Sequence, residues 1–192
     1  MQTKVFQILA LALMVVFYGV YLAKQMSQRK QGIRTNQMGR GDKPSGTLAV
    51  ERMLSVFSVL IIGVELWSVW SGYSFLPVWC GWLGLALTAI GVVFFTAAVL
   101  RMRDSWRAGI ASGEKTELVT SGIYSVSRNP AFVGFDLTYI GLLLCFANWL
   151  HLAVVVCTVM VFHLQILQEE RFLLSRKDID YSGYYHRARR YL

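Results

Sequence analysis

Three long stretches of this 192-residue chain are almost free of charge. No charged residue lies between Val5 and Ala23. Glu65 stands alone between Met53 and Leu100, and Asp136 alone between Asn129 and Gln168. A helix needs about 20 mostly apolar residues to cross the hydrocarbon core of a bilayer. The first stretch therefore fits one crossing, the second two, and the third two short ones. Lipid offers bare backbone no hydrogen-bond partner, which leaves helices or a closed barrel, and strict two-residue alternation is absent, which argues against the barrel. The expected class is all-α: a polytopic membrane protein with about five transmembrane helices, in a single membrane domain. The spans fall near 5–23, 53–70, 76–100, 131–147 and 149–168, with loops at 24–52 and 101–130 and a tail at 169–192. Ser71-Gly72-Tyr73 and Pro77 separate the second span from the third, and Asn148 marks a tight turn between the fourth and fifth.

The remaining charge is arranged as a membrane protein's should be. Charged residues make up 16% of the chain, against about 25% for an ordinary soluble domain. All basic residues except Lys4 fall in three regions, Lys24 to Arg52, Arg101 to Arg128 and Arg171 to Arg190. Five crossings put those regions on one side, which the positive-inside rule makes cytoplasmic. The amino terminus is then expected outside and the carboxyl terminus inside. Trp67, Trp70, Tyr73, Trp79 and Trp149 gather near the outer ends as an interfacial belt. The formal charge of +8 thus reports topology, and nucleic acid is not an expected partner. The first span does not read as a signal peptide, because it is long and Lys24, Arg29 and Lys30 follow it like a stop-transfer signal. Cys80, Cys145 and Cys157 form no disulfide or metal pattern, and no metal site is expected. Gly39-Arg40-Gly41 lacks the strand and βαβ setting of a dinucleotide fingerprint, so contact of the 24–46 loop with anionic lipid headgroups is the simpler use of its charges.

Candidate chemistry sits at the ends of the last two spans. Asn129, Phe132, Asp136 and Tyr139 share a helix face, and that face should point into the bundle, since an acid facing lipid costs about 2.5–3.5 kcal/mol. Glu65 lies mid-span with Ser58 and Ser68 near its face. Each acid is read either as part of a polar pocket or as one partner of an interhelical hydrogen bond to a Ser or Tyr. The fifth span ends in His163, Gln165, Gln168, Glu169 and Glu170, which a short hairpin brings near Arg128-Asn129-Pro130. His163 and Glu170 alone make no zinc site.

The order of these pieces resembles a known family. Leu118-Val119-Thr120-Ser121-Gly122-Ile123-Tyr124, then Ser127-Arg128-Asn129-Pro130-Ala131-Phe132-Val133-Gly134, then a hydrophobic hairpin, Glu169-Glu170, and Asp180-Tyr181-x-x-Tyr184-x-x-Arg187 is similar to the isoprenylcysteine carboxyl methyltransferase family. An Asp104-Ser105-Trp106-Arg107 segment is similar to its bacterial members. The family's histidine is Asn129 here, its following tyrosine is Phe132, and its Val-Pro after the tail arginine is Ala188-Arg189. Asparagine cannot titrate near neutral pH, so no histidine acid or base operates at that position.

The resemblance implies an integral-membrane, S-adenosylmethionine-dependent methyltransferase, in a bacterial inner membrane. Its acceptor would be a lipophilic small molecule or lipidated group, with a prenylcysteine-like carboxylate and a phospholipid amine as alternatives. It further implies that Leu118, Val119, Gly122, Ile123, Tyr124, Asn129, Pro130, Phe132, Glu169, Glu170, Tyr181, Tyr184 and Arg187 hold the cofactor. Arg128 or Arg107 (with Arg101 and Arg103 as alternatives) would hold a carboxylate, and Asp136 would serve where an amine acceptor must lose a proton. Membrane lipids are expected partners. Two other readings stand beside it: an NADPH-dependent membrane reductase of the sterol reductase type, which shares a similar Arg-His-Pro segment, and a non-enzymatic scaffold that binds lipid headgroups.

Overall fold

A computed structural model describes residues 4–110 and 117–192. Six helices follow in order: α1 (Lys4–Lys30), α2 (Ser45–Ser71), α3 (Val78–Met102), α4 (Pro130–Cys145), α5 (Trp149–Ser175) and α6 (Tyr181–Arg187), and there is no strand among the described residues. Four of them, α1, α2, the α3 segment and α5, are long and apolar enough to cross a membrane, and α4 is a shorter apolar helix. The chain is an all-helical, multi-pass membrane protein.

The breaks obey local chemistry. α2 ends at Gly72, whose left-handed φ of 60° is open to glycine at no steric cost. Pro77 precedes α3, Pro130 opens α4, and the Asn148 side chain caps α5 by accepting from the His151 N–H at 2.9 Å. The helices overrun the expected spans. α1 continues to Lys30, α2 begins at Ser45, and α5 runs on to Ser175. Charge limits how far a helix lies in lipid and does not stop the helix itself. In α1 the closing Arg29 and Lys30 suit the negative end of the helix dipole.

The two short turns sit together. Phe75 N–H donates to the Ala147 carbonyl at 3.0 Å, and Gln7 Nε2 on α1 reaches the Val69 carbonyl at 2.8 Å. Trp70, Tyr73, Trp79 and Trp149 are exposed at this turn end, as an interfacial belt would be. The long loops and the tail collect at the opposite end, called here the loop end.

Packing is closest between α3 and α4. Gly84 and Gly91 face Gly141 and Gly134, and Thr88 and Thr138 bond their own helices at Gly84 and Gly134. Beside this seam an aromatic cluster fills the bundle: Phe17 meets Phe95 and Phe135 at ring separations of 4.7 and 5.1 Å, and Tyr139 stacks on Phe162 at 6.0 Å.

Arg103, just after α3, has a φ of 47° and ψ of −126°, a conformation that glycine adopts freely and an L side chain does not. Replacing Arg103 with Gly should raise stability by about 1 kcal/mol. Denaturant midpoints of the two proteins in the same detergent check this, and an unchanged or lower midpoint contradicts it.

Candidate active site

The site begins with a turn. Gly122, at a φ of 67°, opens a single 3-10 turn over Gly122–Ser125, closed by Ser125 Oγ donating to the Gly122 carbonyl at 2.7 Å. The chain then bends at Ser127, whose hydroxyl accepts from the Asn129 N–H at 3.1 Å, and enters α4 at Pro130. This corner aims Arg128 across to α5.

Arg128 is fully engaged. Its Nε and Nη2 donate to Glu170 Oε1 at 3.0 and 2.9 Å, and its Nη1 donates to the carbonyls of Tyr185 and Ala188 at 2.7 and 2.5 Å. Its guanidinium also lies 4.1 Å over the Tyr185 ring. Glu170 is equally engaged: Arg190 donates to its other oxygen at 2.9 Å, and Asn129 Nδ2 approaches Oε1 at 3.4 Å. Arg128 therefore already holds a carboxylate, one supplied by the protein. Asn129 spends its other amide contact on the Arg190 carbonyl at 3.1 Å.

The tail completes the corner. Asp180 caps α6 through the Gly183 N–H at 3.1 Å. Tyr184 donates its hydroxyl to the Tyr124 carbonyl at 2.6 Å. Burial pushes the Tyr184 hydroxyl up to about 12 although the Arg128 charge pulls the other way, so it remains a donor at neutral pH. Beyond α6 the chain pairs with the corner, the Arg128 N–H donating to the Arg189 carbonyl at 2.8 Å. Sequence reasoning passed over Ser127, Tyr185 and Arg190, because their role is to bond the backbone or a neighbouring residue and no motif spacing announces it.

Behind the corner is a cavity of about 730 Å³, within the range of small-molecule sites. Its polar mouth is lined by Glu117, Leu118, Val119, Tyr124, Arg128, Asn129, Pro130, Glu169, Glu170, Tyr181, Tyr184 and Arg107; its apolar arm runs past Phe132, Phe135, Tyr139 and Phe162 and between α1 and α2. Glu169 differs from its neighbour: one oxygen accepts from Gln165 Nε2 at 2.9 Å, and the other has no hydrogen-bond partner among the described residues. In the arm, Val15 of α1 and Val59 of α2 line the cavity yet are 72% and 73% exposed. The arm is thus open sideways between those two helices.

Four expected site residues are not in the lining. Gly122 and Ile123 build the turn. Arg187 lies on the exposed side of α6, donating to the Gly183 carbonyl at 3.2 Å. Asp136 lies to one side, where Oδ1 is buried without a hydrogen-bond partner in the described structure. Glu65 takes a hydrogen bond from the Tyr18 hydroxyl at 2.7 Å, the interhelical pair that the second of its two readings expects. Arg101 donates to Ser121, and His163 pairs with the Tyr191 hydroxyl at 2.5 Å. No metal-ligand cluster occurs among the described residues.

Compared with known families, residues 79–176 match phospholipid methyltransferase. The chain belongs to the phospholipid methyltransferase family. That family is of the isoprenylcysteine carboxyl methyltransferase type, in agreement with the motifs. No curated protein matches the chain. Membership makes it a membrane methyltransferase acting on lipid-like substrates, and methyltransferases of this type generally use S-adenosylmethionine. The phospholipid methyltransferase match takes in the turn, the corner and the Glu169-Glu170 pair. It leaves out α1, α2, the 31–44 loop and the tail, which supply the open side of the apolar arm and the corner's closing contacts. The mouth suits the cofactor chemically: a half-buried carboxylate with a spare oxygen can face an ammonium, and tyrosine rings can face a sulfonium.

Proposed function

We propose that the protein transfers a methyl group from S-adenosylmethionine, bound in the mouth, to a lipophilic acceptor that reaches it through the gap between α1 and α2. The observation that carries this reading is one continuous cavity with a polar mouth at Glu169 and an apolar arm open to the surroundings of the bundle. Glu169 holds the cofactor's ammonium, Tyr124, Tyr181 and Tyr184 flank its cationic centre, and the Arg128–Glu170–Arg190 clasp keeps water from the mouth. The cofactor supplies an already activated methyl group, so the protein's work is in-line positioning and exclusion of water. A prenylcysteine-like carboxylate is ionised at pH 7 and needs no base. A phospholipid amine needs one, and the carboxylates that line the cavity are Glu117, Glu169 and Glu170, with Asp136 outside it. The loop end faces the cytoplasm, following the basic residues.

The test is calorimetry of the purified protein with S-adenosylmethionine, beside thermal shifts with S-adenosylmethionine and NADPH. Only a ligand of the native state raises the melting temperature. No binding at millimolar cofactor overturns the proposal, and stabilisation by NADPH alone favours the reductase. Glu169→Gln should keep the fold and weaken cofactor binding about 10- to 150-fold, the equivalent of the roughly 1.5–3 kcal/mol of a hydrogen bond to a charged group. Calorimetry on the variant reads that change, and wild-type affinity contradicts the assignment.

A further inference from the structure

A second carboxylate with donors on both oxygens lies outside the family match. Glu51, in the second turn of α2, is fully buried, and Lys43 is nearly so. Lys43 Nζ donates to both Glu51 oxygens at 2.9 and 2.8 Å and to the Gln37 carbonyl at 2.9 Å. The Gly39 N–H donates to Glu51 Oε2 at 2.8 Å, and the Ile110 N–H to Oε1 at 2.9 Å. One carboxylate therefore joins two loops that are far apart in sequence. They are stitched again by Gln37 N–H to the Ala108 carbonyl at 2.8 Å and Ala108 N–H to the Thr35 carbonyl at 3.0 Å.

Both loops are shaped for this carboxylate. Gly39 and Gly109 have φ values of 67° and 87°, and a Cβ on Gly109 would stand 3.1 Å from Glu51 Oε1. The same loops line the cavity through Asn36, Met38, Arg107 and Gly109. The ion pair lies near enough to Glu169 for both of its charges to act on that residue. A buried ion pair is weak support for stability, since apolar residues of similar volume often serve as well. Apolar residues cannot accept hydrogen bonds from the backbones of two loops.

We propose that Glu51, charge-balanced by Lys43, is a positioning residue that fastens the 36–39 and 107–110 loops together as a roof over the cavity, so that ligand binding beneath depends on this junction. The ligand-binding half rests on the reading of the cavity as the cofactor and acceptor site. The roof itself does not.

Hydrogen-exchange mass spectrometry and S-adenosylmethionine calorimetry on the full chain in detergent separate the two. In the wild type, the two loops are expected to exchange with one shared opening constant, and independent opening overturns the proposal without any variant. Glu51→Gln places an amide donor against backbone donors, and exchange in both loops should rise about tenfold or more. Apparent cofactor affinity should fall in proportion to the closed fraction once the loops of the variant are mostly open, because only the closed fraction binds. Gly109→Ala, which keeps Lys43 and Glu51 but strains the 107–110 loop and crowds the carboxylate, should do the same. Loops that stay protected in Glu51→Gln, or loops that are mostly open while affinity is unchanged, overturn the proposal. If the wild type binds no S-adenosylmethionine but its loops open together, the functional reading fails and the roof stands.

Discussion

Replacing Glu170 with Ala is expected to release the tail from the bundle and to abolish cofactor binding. Glu170 is the one anion between Arg128 and Arg190, and the Arg128 side chain is only 7% exposed. Removing one partner of a buried pair leaves the other charge uncompensated, at a cost of about 3–5 kcal/mol. The loss would not stay local. Arg128 also donates to the Tyr185 and Ala188 carbonyls, so a guanidinium that turns toward water takes the tail's anchor with it. Glu170→Gln keeps an acceptor for one arginine and should cost less. The Arg128→Ala/Glu170→Ala double variant should cost less than the sum of its singles, because neither charge is then stranded. Limited proteolysis after Arg176 and Lys177, with SDS-unfolding midpoints, reads the first effect, and calorimetry reads the second. A Glu170→Ala protein that keeps its tail protected contradicts the clasp.

That clasp also shows what the sequence could and could not disclose. The convergence of Arg128 and Glu170 was legible, because a short apolar hairpin returns α5 to the level where α4 begins. The role of Arg128 was not, because its occupancy depends on the Tyr185 and Ala188 carbonyls, and backbone acceptors leave no trace in residue type. Asp136 illustrates a limit of periodicity. The Asn129, Phe132, Asp136 and Tyr139 face is a real helical face, but the cavity centres nearer Phe135. Asp136, one residue on, points about 100° further round the helix. The turns were legible where single residues decide them, at Gly72, Pro77, Pro130 and Asn148. Helix ends were not, since the polar 24–30 and 45–52 segments can extend a helix into water as readily as form a loop. Lys43 and Glu51 looked like ordinary loop charges. Only the fold of two loops around them reveals a buried pair.

The seam between α3 and α4 yields the other large effect. A Cβ on Gly134 would lie 2.6 Å from the Phe95 nitrogen and 2.9 Å from the Gly91 carbonyl, and one on Gly91 would lie 2.7 Å from the Gly134 carbonyl. These neighbours are backbone, which cannot rotate away as a side chain would. In lipid, small residues let helices approach closely enough for dispersion to hold them. α4 depends on that approach more than its neighbours do, being the shortest of the apolar helices and the carrier of the Arg128-Asn129-Pro130 corner at its start. Gly134→Leu should therefore force α4 off α3 at a cost of about 3 kcal/mol or more and displace the corner from Glu170. Gly63 on α2 is the internal comparison, with nothing within 4 Å of its added Cβ. Gly63→Ala should be neutral or stabilise by up to about 1 kcal/mol through helix propensity. SDS-unfolding midpoints of the two variants, read side by side, should therefore move by very different amounts. Equal shifts would mean that the α3–α4 contact is looser than its geometry states, and that the corner is held by the tail alone.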